Sequence, residues 1–147
     1  MLRLLELLFG MPFTHGDRLA AFDKMVGGRP PHDAADILRW SAGHNTEKSG
    51  ALLGAQAIFV VVDTFVLDRG WPKGAVLAAL FLVLAAALIL MTNLRSTMMA
   101  YRQKEGVEPN RHIFNMLLSR TIRFNVALYM TFLSILFLGG AAWSFVR

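Results

Sequence analysis

The sequence contains no cysteine, which excludes disulfides, thiolate catalysis and cysteine-based metal sites. Its four histidines, His15, His32, His44 and His112, include no pair at the i, i+4 spacing that lets a helix offer two ligands to one ion. They read as surface or interfacial groups, and no metal, haem or other cofactor is expected. No Ser-His-Asp or Cys-His set, paired-carboxylate motif, phosphate loop or dinucleotide fingerprint is present, so catalysis has no visible residues and the chain reads as non-enzymatic. There is also no sequence repeat and no low-complexity tract.

The most telling scarcity is of charge within three long stretches. Ala51 to Leu67 is broken only by Gln56, Asp63 and Thr64, Gly74 to Leu94 only by Thr92 and Asn93, and Phe124 to Val146 carries Asn125 and scattered hydroxyls. A helix rising about 1.5 Å per residue needs roughly 20 residues to cross a hydrocarbon layer. The runs are 17, 21 and 23 residues long. The expected fold is therefore all-α, an integral membrane bundle with three transmembrane helices over about 51–67, 74–94 and 124–146. Residues 1–31 form an amphipathic arm on the cytoplasmic face, and residues 32–147 form the membrane domain.

Basic residues crowd every second gap between these runs. Residues 1–48 hold six (Arg3, Arg18, Lys24, Arg29, Arg39, Lys48), the next gap two (Arg69, Lys73), and the third six again (Arg95, Arg102, Lys104, Arg111, Arg120, Arg123), with Arg147 alone at the end. Lys and Arg flanking spans stay on the cytoplasmic side. The pattern predicts an N-terminus on the cytoplasmic side and a C-terminus on the outer side of the membrane. The net charge of +5 sits beside the spans, where anionic headgroups attract each basic residue by about 1 kcal/mol. A lipid surface thus explains the charge more simply than nucleic acid does, and the six cations of the third gap are expected to hold headgroups.

Punctuation sets the remaining boundaries. Met1 to Phe9 is apolar but carries Glu6 and no small-residue cleavage site, so it reads as a helix lying in the headgroup layer and not as a signal peptide. A second short helix is expected over Gly16 to Val26, closed by Gly27, Gly28, Arg29, Pro30 and Pro31. Proline suits a first helical turn, and Asp33 and Asp36 complement its dipole. One helix of about 36 residues, His32 to Leu67, is predicted from 3.6-residue geometry uninterrupted until Gly70, Trp71 and Pro72. After a polar stretch from Ser96 to Arg111, a last long helix is predicted from near Asn110 to Val146.

Within the first span, Ser49, Gln56 and Asp63 repeat every seven residues, with Gly50, Ala57 and Thr64 beside them and Gly54 completing a small-xxx-small pair. All are expected to lie on one narrow contact face. Two uses are open: a packing seam within the chain, or the lining of a homo-oligomer around a wet path. Asp63 is the only acid in a span and therefore a functional candidate. It lies one turn from Leu67, and two roles are open for it as well: snorkelling or pairing with Arg69, Lys73 or Arg147, or relaying protons. Trp40, His44 and Lys48 follow one another at i+4 and share a helix face. They mark the inner headgroup layer or form a regulatory contact for a ligand or partner.

The segments Ile37-Leu38-Arg39-Trp40 and His44-Asn45-Thr46-Glu47-Lys48-Ser49-Gly50-Ala51-Leu52-Leu53-Gly54-Ala55-Gln56 resemble the entry to the first span of small membrane effectors in bacterial cyclic-nucleotide antiphage defence, the Pycsar-type transmembrane effectors. Ser119-Arg120-Thr121-Ile122-Arg123-Phe124 is similarly placed to the basic helix that leads into their last span. The resemblance implies a resting inner-membrane protein that assembles on a signal made during infection and compromises the bilayer. This chain departs from the pattern in its short inner loop, which holds no recognisable nucleotide-binding module. Activation by a cyclic nucleotide or by a protein partner is therefore open. The alternative function is that of an accessory subunit in a larger respiratory, photosynthetic or transport complex.

Overall fold

A computed structural model describes residues 15–28, 30–99 and 109–146. Among them there are four helices and no strands: α1 (His15–Val26), α2 (Pro31–Asp68), α3 (Lys73–Met99) and α4 (Pro109–Val146). Three contain stretches long and apolar enough to cross a membrane, Asp36–Asp68, Lys73–Leu94 and Ile113–Val146. The chain is an all-α membrane bundle with a short helix at one end.

Local sequence chemistry places the breaks. The amide of Gly27 donates to the Asp23 carbonyl at 2.6 Å, and Gly28 takes a left-handed φ of 75°, ending α1 in a conformation that side chains resist. Pro31 opens α2 with Asp33 in its first turn. Gly70, at φ 81°, turns the chain between α2 and α3, where the Pro72 carbonyl accepts from the amides of Ala75 and Val76 at 3.1 and 3.2 Å. The two long helices expected from the sequence are present at 38 residues each. α3 runs further than the apolar stretch, reaching Met99 through residues read as a polar connection. Helical hydrogen bonding does not stop where hydrocarbon stops. The segment Met1 to Phe9 lies outside the described residues.

A seven-residue rhythm organises the packing. Along α3 the buried positions are Val76, Ala79, Val83, Ala86, Leu90 and Asn93, none more than 4% exposed. These alternating steps of three and four match the seam of a left-handed supercoil. Ser49, Gln56 and Asp63 form the matching column on α2, and Arg120, Ala127, Ser134 and Ala141 that on α4. Small residues at many of these positions let backbones approach, the main source of helix association where lipid is as apolar as the interior.

Val66, Val76 and Ala141 close one end, beside Trp71 stacked on Phe145 at 5.5 Å. Ala86, Leu90 and Ala127 fill the middle with Phe124. At the other end Leu38, Phe114 and Leu117 pack against Ala21, Phe22 and Met25 of α1. Bulky apolar chains such as Ile58, Phe65, Phe81, Leu88, Phe132 and Leu136 point outward, the arrangement of a bundle solvated by lipid.

Candidate functional site

The interior is a polar column in an apolar sleeve. Near the α1 end, Asn45 Nδ2 donates to Thr121 Oγ1 at 2.9 Å, and that hydroxyl donates to the Leu117 carbonyl at 2.9 Å. Eleven residues further along α2 the device recurs. Gln56 Nε2 donates to Thr131 Oγ1 at 2.8 Å, and Thr131 donates to the Ala127 carbonyl at 2.8 Å. In each case a threonine hydroxyl spends its proton on its own helix and offers a lone pair to an amide of the parallel neighbour. The two bonds fix the register of α2 against α4. On α3, Asn93 Nδ2 donates to the Arg120 carbonyl at 3.0 Å, tying the third helix to the same end.

Five side chains of this column keep buried atoms without a hydrogen-bond partner among the described residues: Gln56 Oε1, both carboxylate oxygens of Asp63, Asn93 Oδ1, Nε and Nη2 of Arg120, and Ser134 Oγ. Unsatisfied polar atoms in hydrocarbon cost several kcal/mol each. Their concentration on one axis marks the interior as the chemically unusual part of the molecule.

The residues read from the sequence as one α2 face separate here. Ser49, Gln56 and Asp63 are buried at 1%, 1% and 0% exposure. Gly50, Gly54, Ala57 and Thr64 are exposed. A β-carbon at Gly50 or Gly54 would meet nothing within 4 Å, so neither supports a close approach inside the chain. Neighbouring helix positions differ by about 100°, enough to put one column in the bundle and the next outside it. Ser49 Oγ donates to the Asn45 carbonyl at 2.8 Å and Thr64 Oγ1 to the Val60 carbonyl at 2.9 Å.

Asp63 requires a correction. It neither snorkels nor pairs with Arg69 or Lys73, since its carboxylate is fully buried and has no partner among the described residues. The heptad register carries Asp63 inward with Gln56, whereas the Arg69 guanidinium lies over the Phe65 ring at 4.9 Å; Arg147 lies outside the described residues.

The cations of the third gap also divide. Arg120, expected among the headgroup-facing group, is 3% exposed because it falls seven residues before Ala127 in the interior register. Arg111 and Arg123 are half-buried, and Arg111 lines a cleft of about 140 Å³ with Arg18, Phe22 and Phe114. Arg102, Lys104 and the side chain of Arg95 lie outside the described residues. Trp40, His44 and Lys48 do share an exposed face. The Trp40 and His44 rings stack at 5.5 Å, and His44 Nδ1 approaches Glu47 at 3.7 Å.

Asn45, Asn93, Thr121, Thr131 and Ser134 were not singled out from the sequence. Their signal was spacing, since Ser134 stands fourteen residues from Arg120 and Asn93 fourteen from Ala79. Among the described residues no cluster of three His, Cys, Asp or Glu side chains could hold a metal ion. Comparison with known proteins gave no match to a family model, to a curated protein or to a solved structure.

Proposed function

We propose that this chain is a non-enzymatic protein of the bacterial inner membrane, N-terminus cytoplasmic and C-terminus periplasmic, that self-associates through the outward face of α2 and thereby compromises the bilayer. The observation that carries the reading is the exposure of Gly50, Gly54 and Ala57. Elsewhere the bundle meets lipid with Ile58, Phe65, Phe81 and Phe132, side chains that gain dispersion contacts with acyl tails. Two glycines one turn apart give those contacts up and offer instead a shallow groove against which another helix backbone can lie. A second copy presents the same groove, as a two-fold contact requires. Ser49, Gln56 and Asp63 face the interior and the exposed Thr64 hydroxyl bonds its own helix, so the outer contact rests on shape. The resemblance to Pycsar-type effectors supports permeabilisation as the outcome of assembly.

Cross-linking in native membranes, run beside a membrane-potential dye, tests this. Wild type should form discrete oligomers and depolarise cells on overexpression, and Gly54→Leu should insert normally and do neither. Oligomers that survive Gly54→Leu would overturn the contact. Harmless overexpression together with co-purification in a larger complex would overturn the effector reading in favour of an accessory subunit. Reporter fusions at both ends check orientation.

A further inference from the structure

We propose that Arg120, together with Asn93 and Arg123, forms a binding site for one phosphate-type anion between α3 and α4, at the end of the bundle away from Trp71. The proposal is independent of self-association. It starts from a charge that cannot be removed. A carboxylate enclosed in protein can take up a proton and become neutral, but a guanidinium stays charged at any physiological pH.

Arg120 is 97% enclosed, and its Nε and Nη2 have no hydrogen-bond partner among the described residues. None of the ion pairs among the described residues includes it. Asp63 is too distant to help. The bonds Asn45–Thr121 and Gln56–Thr131 put Asp63 level with about residue 138 of α4, some 27 Å along the axis from Arg120. Arg123, one turn away, adds a second positive charge. A buried charge without a counter-charge carries a desolvation penalty of several kcal/mol, which an anion seated there would offset.

The geometry selects the kind of anion. Nε and Nη2 are the adjacent donors on one edge of the guanidinium, the edge that grips two oxygens of a phosphate or carboxylate side by side. Asn93 supplies the complementary function. Its Nδ2 is held by the Arg120 carbonyl at 3.0 Å, which fixes the amide and leaves Oδ1 as a buried acceptor without a donor. An anion that also carries a hydroxyl satisfies both groups, as a glycerol-bearing phosphodiester or a protonated phosphate does.

Depth favours a phosphate source in the headgroup layer. Arg120 precedes Phe145, the stacking partner of Trp71, by 25 residues, or about 37 Å of helix. The hydrocarbon between the two headgroup layers is about 30 Å thick, so with Trp71 at one interface Arg120 falls among the phosphates of the other leaflet. A lipid headgroup and a free phosphate share this chemistry.

Thermal unfolding of the full chain in a maltoside detergent, which carries no phosphate, separates them. Wild type should unfold about 5 °C higher with a hundredfold excess over Kd of phosphatidylglycerol. Arg120→Gln should abolish the shift, Arg120→Lys should keep only part of it, and Lys73→Gln at the opposite end should keep it whole. A shift with phosphatidylglycerol but not with inorganic phosphate assigns the site to lipid, and a shift with both assigns it to phosphate in general. Should Arg120→Gln fail to fold, native mass spectrometry of wild type decides, with one phosphate-bearing adduct per chain expected. No shift in wild type, an equal shift in Arg120→Gln, or no retained adduct overturns the proposal.

Discussion

Two neighbouring columns on α2 are used in opposite ways. Ser49, Gln56 and Asp63 face the other helices, and Gly50, Gly54 and Ala57 face outward. The inner column carries hydrogen-bonding capacity that hydrocarbon cannot satisfy, so it must be enclosed. The outer column carries nothing that lipid would penalise and little that lipid would reward. The difference teaches that in a membrane the polar residues choose the interior, whereas small residues remain available for either role.

Enlarging a side chain on each side tests that contrast most strongly. Ala79→Leu on α3, a fully buried position, overpacks the interior seam and should destabilise the bundle by about 1–3 kcal/mol. Ala57→Leu on the outer column should leave the stability of the single chain unchanged. Steric trapping or denaturation in detergent reads both, and equal effects would dissolve the distinction between the two faces.

Thr131→Val comes next, because it removes the acceptor for Gln56 Nε2 while keeping side-chain volume. Interhelical hydrogen bonds in membranes average about 0.6 kcal/mol, and the amide left unpaired raises the expected loss to about 1 kcal/mol. A smaller change still is expected at Asp63, whose carboxylate has no hydrogen-bond partner among the described residues. Asp63→Asn keeps shape and removes a buried ionisable group, so stability should hold or rise. A clear loss would show that the carboxylate is engaged, as a proton relay requires.

The helices themselves were legible from the sequence. The apolar runs, Pro31, Gly70 and Pro72 are local signals, and α2 and α4 run almost as those signals predict. The facing of the helices was not legible. In a soluble protein, polarity separates the buried side of a helix from the exposed side. Here Phe81 on the outside and Val83 on the inside are equally apolar. Only the seven-residue recurrence of polar or small residues distinguishes the seam. On α2 the recurrence is visible in the sequence, but two adjacent columns share it and nothing in the residues says which one turns inward. Arg120 was the least legible case, because an arginine just before a span looks the same in sequence whether it faces outward or, as here, is enclosed.

By itself the sequence determined that lipid is the solvent, how many helices cross it and where α2 and α4 begin and end. Hydrophobic length and helix-breaking residues act within one segment and need no partner. The tertiary structure alone decided which residues became the interior: that Gln56 bonds Thr131, that Asp63 and Arg120 are enclosed at separate depths, and that Gly50 and Gly54 are left outside. Those outcomes depend on the rotation and register of one helix against another. A chain whose exterior and interior are equally greasy does not write that relation into any single stretch of its residues.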